Sequence, residues 1–137
     1  MIFRSRGKRL VPSTVPISIG GEIIHEVEST KFLGVIVDCK LNWSLHINHI
    51  KNKISKGLGI IYKARRLLNE NTLKTLYYSF IYPYLHYCII AWGNTYISYL
   101  DGLFKIQKRV IRMITFSSWT SHTYPLFQRL KLLTLSE

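Results

Sequence analysis

The sequence predicts an α+β fold that is mostly α, with a short N-terminal antiparallel β-hairpin and small sheet followed by a helical bundle. Three observations carry that expectation. β-Branched residues alternating with other residues occur only in the N-terminal quarter, whereas from Trp43 onward apolar residues recur at spacings of mostly three and four. The 137 residues are 47% hydrophobic and 13% aromatic, too apolar for a disordered basic tail and enough for one domain at most.

Taken in order, 1–15 is basic and turn-rich, with Arg4, Arg6, Lys8 and Arg9 ahead of Pro12, and reads as a strand stub running into a loop. Val15, Ile17 and Ile19 alternate with Pro16 and Ser18. Gly20-Gly21 then supplies two residues that accept positive φ, and 22–27 resumes an apolar-rich pattern, so this stretch predicts a hairpin. The apolar run in 31–38 suits a third strand. From Trp43 a single stripe of Ile47, Ile50, Ile54, Leu58, Ile61 and Leu68 marks a long helix that Asn42 is placed to cap. Asn52, Lys56, Gly59, Lys63 and Arg66 follow spacings of four and three on its other side, a basic stripe along solvent. Asn69-Glu70-Asn71 turns the chain, Thr72 caps a second helix to about residue 82, and Pro83 breaks it before a third segment running to Trp92-Gly93. A last long helix over about 96–115 buries Leu100, Leu103, Phe104, Gln107, Val110, Ile111 and Ile114 and shows Asp101, Lys105, Lys108 and Arg112 outward. A shorter helix over about 125–132 closes the chain.

Charge narrows the chemistry. Lys and Arg number 19 against 7 Asp and Glu, a net charge of +12 that calls for an anionic partner. From Lys40 to Arg112 there are twelve cations and two acids, where a merely solubilising surface would mix signs; a phosphate backbone is the natural complement. The seven acids include no adjacent pair, and there is no Gly-rich phosphate loop and no nucleophile elbow, so the chain is not expected to be an enzyme by itself, nor to take a small-molecule substrate. His46-x-x-His49 and His86-x-Cys88 complete no recognised metal-ligand spacing, so no metal is expected in this chain. Between 75 and 100 there is no Asp, Glu, Lys or Arg, a length that could cross a bilayer. Pro83, His86, Gly93 and Asn94 interrupt it and its tyrosines are not gathered into two belts, which disfavours a membrane partner. Two cysteines and no apolar leader after Met1 predict an intracellular chain, cytoplasmic or nuclear, not secreted.

Lys31-Phe32-Leu33-Gly34-Val35, followed by Asp38, Leu41, Trp43, His46 and Ile47, resembles the palm-to-thumb junction of reverse transcriptases from non-LTR (LINE-like, jockey-type) retrotransposons. Later blocks agree in order and spacing. Leu76-Tyr77 with Ser79, Pro83 with Tyr87, and Ala91-Trp92-Gly93 resemble that family's "LY-x-S…P…Y…WG" helices, and Leu103 with Gln107-Lys108-Arg109 and Arg112 resembles its "L…QKR-x-xR" helix. The resemblance implies that 1–41 is a palm remnant and 42–137 a thumb-like helical bundle with C-terminal helices. It further implies that Lys31, Phe32, Leu33 and Gly34 belong to the primer-grip hairpin, and that Asn52, Lys56, Lys63, Arg66, Lys105, Lys108 and Arg112 lie near the nucleic-acid backbone, with Gly57 and Gly59 letting a backbone approach. The implied partners are an RNA template and RNA–DNA or DNA duplex, bound non-specifically, together with the palm and fingers of a parent polymerase.

In that family Mg²⁺ ions are held by aspartates of an "[FY]-A-D-D" turn and an earlier palm aspartate, and none has a counterpart in this sequence. The expectation is a truncated fragment of an RNA-directed DNA polymerase with Met1 an internal methionine; a small membrane-associated protein spanning 75–100, or a relic without activity, are the alternatives. Purified chain supplied with Mg²⁺ or Mn²⁺ is therefore expected not to extend a primer annealed to an RNA template, and extension products on a sequencing gel would overturn that expectation.

Overall fold

A computed structural model describes residues 1–3 and 17–135. The basic run at Arg4, Arg6, Lys8 and Arg9 and the start of the first predicted strand at Val15 lie outside the described residues. The chain divides into two units, Met1–His46 and Ile47–Glu137.

The first unit contains two separate antiparallel hairpins. Strands β1 (Ser18–Ile19) and β2 (Glu22–Ile23) pair with Ser18 opposite Ile23, and the Ile24 N–H donates to the Ile17 carbonyl at 2.8 Å. Gly20 and Gly21 turn between them at φ 60° and 88°, the pair of positive values that a tight two-residue hairpin loop demands. The run 31–38 is not the single strand its apolar pattern suggests. It folds as β3 (Ser29–Phe32) and β4 (Val35–Asp38), registered from Ser29 opposite Asp38 to Phe32 opposite Val35. The reason is Gly34, which at φ 85° closes a second two-residue turn in the middle of the run.

Asp38, buried at the end of β4, sets the exit from the hairpin. Its carboxylate accepts the backbone N–H groups of Lys40 at 3.0 Å, Asn42 at 3.4 Å and Trp43 at 3.1 Å. Asn42 Oδ1 in turn accepts the Ser44 N–H at 3.0 Å, as its predicted capping role requires, and α1 (Ser44–Ala64) begins. The first turn of α1 also supplies His46, buried, whose Nδ1 accepts the Ile36 N–H of β4 at 3.3 Å.

In the second unit the apolar stripe of α1 is Ile47, Ile50, Ile54 and Ile61, all buried, with Leu58 at its margin. Leu68 and Arg66 fall outside the helix, which ends at Ala64, and Asn69 then adopts an extended conformation to start the next one. Asn69, not Thr72, is the N-cap of α2 (Glu70–Phe80): its Oδ1 accepts the Thr72 N–H at 3.0 Å and the Thr72 hydroxyl at 2.9 Å. Gly57 lies where α1 crosses the end of α2. A Cβ there would stand 3.0 Å from both the Phe80 carbonyl oxygen and Ile81 Cγ1, so the close backbone approach that Gly57 permits is made within the fold.

The uncharged stretch after α2 is broken twice, first at Ile81 and Pro83 and again at Cys88, which adopts φ 53°. The products are two short helices, α3 (Tyr82–His86) and α4 (Ile89–Trp92). Trp92 is fully buried and its indole N–H donates to the Tyr87 carbonyl at 2.9 Å, which satisfies the one polar atom that burial would otherwise strand. Helix α5 (Ile97–Ile114) buries Leu103, Val110, Ile111 and Ile114 as expected and Ile106 and Met113 in addition. Leu100 and Phe104 are only half-buried. Helix α6 (Tyr124–Leu130) follows, and its Arg129 forms an ion pair with Glu70 at the start of α2. Helix α2 packs on α3 and α5, and α5 on α6. The α+β, mostly α class read from the sequence is borne out.

One amide joins these helices to the C-terminal segment. Gln107, fully buried on α5, donates through Nε2 to the Tyr77 hydroxyl at 3.0 Å and the Leu133 carbonyl at 3.1 Å, while its Oε1 accepts the Leu135 N–H at 3.1 Å. Replacing it by an apolar isostere leaves buried groups without partners, at roughly 1–3 kcal/mol each. Gln107→Leu is expected to destabilise the chain by about 3 kcal/mol, read from the urea midpoint. Burial also pushes the Tyr77 phenol up from 10.0 to about 12, so the folded chain keeps a proton that the unfolded chain releases. Its contribution is intact below pH 10 and lost as pH rises towards 12; Tyr77→Phe should flatten that part of the alkaline fall in the urea midpoint.

Candidate nucleic-acid interface

The hairpin residues Lys31, Phe32, Leu33 and Gly34 are all exposed. Lys31 stands opposite Ile36, and Phe32, next to the turn, is 66% exposed. Leu33 occupies the first turn position at φ 45° with 74% of its surface in water. A γ-branched residue in the left-handed region costs about 1–2 kcal/mol, and asparagine or glycine would fill the position without that cost. Leu33 thus combines a strained backbone with an apolar side chain that stays largely in water.

Helix α1 carries the second group of candidates. Asn52, Lys56 and Lys63 are exposed and share one face, and a Cβ on Gly59 between them would meet nothing within 4 Å. Of the two glycines expected to admit a backbone, Gly57 is committed to the α2 crossing and only Gly59 opens outward. The whole of α1 has no acidic residue and holds Lys51, Lys53, Lys56 and Lys63. Arg66, predicted on the same stripe, is exposed but lies in the turn after the helix.

The cations of α5 are more heavily used by the fold than the outward stripe predicted. Lys105 pairs with Asp101 at 2.7 Å on the surface, a contact of small energetic weight. Lys108 is half-buried with Nζ 4.0 Å from the Phe104 ring centroid. Arg112, half-buried, donates from Nε to the Ser121 carbonyl at 2.9 Å, so it secures the loop after α5 and is not a free solvent-facing charge. Arg65 and Arg109, absent from the predicted set, lie 5.6 Å from the Phe116 ring and 5.5 Å from the Trp119 ring. Neither position was legible from helical spacing, because Arg65 follows α1 and the rings belong to a loop. The Lys51 side chain lies beside Gly102, in the N-terminal halves of both helices, and Arg65, just after α1, lies over Phe116, just after α5, so the two helices run in the same direction.

The histidine and cysteine motifs have structural settings. His46 bonds to β4, Cys39 is buried and Cys88 exposed, and His86 stacks on Tyr82 with ring centroids 3.9 Å apart. Partial burial holds the His86 imidazole below its ordinary pKa, towards the neutral form. Among the described residues no three His, Cys, Asp or Glu side chains gather as a metal site.

Comparison with known proteins finds the same relatives that the sequence motifs suggest. The chain is 29% identical over 132 residues to the probable RNA-directed DNA polymerase from transposon X-element of Drosophila melanogaster, covering 93% of this chain and 14% of that protein. It is 26% identical over 125 residues to the RNA-directed DNA polymerase from mobile element jockey of the same species, covering 88% of this chain and 14% of that protein. Against the probable RNA-directed DNA polymerase from transposon BS it is 27% identical over 136 residues, covering 95% of this chain and 15% of that protein. The chain thus spans about one seventh of the length of the curated relatives it matches. No family model and no solved structure matches. The resemblance to jockey-type, non-LTR reverse transcriptases is borne out.

The strained turn is open to a direct check. Leu33→Asn should stabilise the hairpin by about 1 kcal/mol, seen as slower hydrogen exchange of the Phe32 and Val35 amides. Faster exchange would mean that the leucine side chain is needed for folding.

Proposed function

We propose that this chain, similar along nearly its whole length to RNA-directed DNA polymerases of jockey-type mobile elements, is the part of such a polymerase that grips template and primer. In this reading it holds an RNA template with RNA–DNA or DNA duplex by the sugar-phosphate backbone, without reading sequence, and works inside the cell alongside the palm and fingers of a parent enzyme. The observation that carries it is the outward face of α1: Asn52, Lys56 and Lys63 aligned on a helix without one carboxylate. Lysines at that spacing follow a groove of phosphates, Asn52 donates to a phosphate oxygen or a 2′-hydroxyl, and Gly59 lets the strand come close. Arg66 extends the same charge from the following turn, and Lys105, Lys108 and Arg112 add positive potential from α5. The strained tip at Leu33, with Phe32 and Lys31, fits an exposed grip on the primer end.

The polymerase relatives imply two divalent ions for nucleotidyl transfer. Neither aspartate among the described residues is free to hold them, since Asp38 is taken by three backbone N–H groups and Asp101 by Lys105. The proposed role is therefore binding and positioning, with catalysis by aspartates beyond this chain. A membrane-spanning alternative at 75–100 has no support: the stretch is split at Ile81 and Cys88, and no described helix is long and apolar enough to cross a membrane.

The paired substitution Lys56→Gln and Lys63→Gln tests the reading by fluorescence anisotropy on an RNA–DNA duplex. Affinity should fall by roughly tenfold near physiological salt, and the slope of log K against log salt should shrink by about 2. Equal affinity and an equal slope for both proteins would sink the assignment of that face.

A further inference from the structure

The loop from Phe116 to Thr123, between α5 and α6, presents two aromatic rings to solvent. Phe116 is 50% exposed and Trp119 58% exposed, with the Arg65 and Arg109 guanidinium carbons 5.6 and 5.5 Å from their ring centroids. Both distances are within cation–π range. Large rings at the surface forgo the burial that makes them valuable in a core, and two such rings in four residues, each beside an arginine, form a surface of definite chemistry.

The loop holds its shape through its own bonds. The Thr115 and Ser117 hydroxyls are 2.8 Å apart, those of Ser118 and Thr120 3.1 Å apart, and the Ser121 N–H donates to the Ser118 carbonyl at 3.1 Å. Arg112 clamps the far side through the Ser121 carbonyl at 2.9 Å. No acidic residue occurs between Asp101 and Glu137, so the local charge is positive throughout.

We infer that Phe116 and Trp119, flanked by Arg65 and Arg109, form a stacking platform for unpaired bases of a single-stranded nucleic acid. A half-exposed ring with a guanidinium on one side offers its remaining surface to a second flat group, and every nucleobase has a face that stacks on it whatever its identity. The two guanidiniums meet the phosphates that follow those bases. A duplex keeps its bases stacked on each other and offers this surface none, and a purely ionic ligand would need no rings. Ser117, Ser118, Thr120 and Ser121 make the rest of the loop polar, which suits a hydrated strand better than the apolar interior of a lipid leaflet. The inference rests on the nucleic-acid reading above but uses residues separate from the α1 face, so the two stand or fall separately.

The test compares a labelled oligouridine of about twelve nucleotides with an RNA–DNA duplex of the same length, both titrated with the full chain. Trp119→Ala should weaken oligouridine binding about tenfold and leave duplex binding within about twofold; Trp119→Phe should recover most of the loss. Arg109→Gln, which keeps both rings, should weaken the single strand less than Trp119→Ala does. Because Trp119 is exposed, its variants should keep the parent's thermal midpoint. Unchanged oligouridine affinity in Trp119→Ala, equal losses on both ligands, or a Trp119-dependent preference for phosphatidylserine vesicles over the oligonucleotide would each overturn the platform. Loss on oligouridine in Trp119→Ala, with duplex binding indifferent to Lys56 and Lys63, would uphold it and sink the α1 reading; duplex binding without oligouridine binding would do the reverse.

Discussion

The Gln107 side chain is the point at which parts of the helical unit far apart in sequence are tied to one another. Its amide has two donors and an acceptor to satisfy, and in a site closed to water each can be met only by a correctly placed protein group. Tyr77 on α2 and the backbone at Leu133 and Leu135 supply them. That requirement fixes the helices beyond what apolar burial alone could do, because leucines and isoleucines tolerate sliding whereas an amide does not. The orientation of α2 against α5 and the return of the C-terminal segment along α5 both follow from it.

With α2 so placed, α1 must cross its end closely, and Gly57 is the residue that permits the crossing. Ile47, Ile50, Ile54 and Ile61 commit that side of α1 to the core. Burying one such side chain contributes about 1.5–3 kcal/mol, far more than a surface lysine could add or remove. The opposite face is thereby released from any duty in folding, and its lysines can be chosen for an external partner at little cost to stability.

The sequence was most informative where periodicity was strong. The isoleucine stripe of α1, the Gly20-Gly21 turn and, from Leu103 on, most of the buried face of α5 lie where spacing placed them. It was least informative where one residue overrides a pattern. Phe32-Leu33-Gly34-Val35 reads as continuous strand by hydropathy, yet Leu33 and Gly34 both turn through positive φ. Thr72 and Asn69 are both good caps, and only the extended conformation at Asn69 decides between them. Cys88 takes the left-handed region between α3 and α4 with no glycine or asparagine to announce it. Helical spacing could place Arg112 on an outward face, but not the loop that folds back to make Ser121 its acceptor. Asp38, which the sequence offers only as part of the family-like block, proves to organise the strand-to-helix exit, which depends on three backbone groups that sequence reading does not see.

The excess of positive charge acquires meaning once the cations engaged by the fold are separated from those it leaves. Arg129 is paired with Glu70, Lys105 with Asp101, and Arg112 with a backbone carbonyl. Lys108, Arg65 and Arg109 lie against aromatic rings. A helix in water gains nothing from lysines on one face, since like charges repel and no acid on the helix offsets them. Lys56 and Lys63 persist on α1 with no acid anywhere along it to relieve that repulsion. A surface that is mildly unfavourable alone becomes favourable against a polyanion, which is why the proposed reading sets a line of phosphates along this helix.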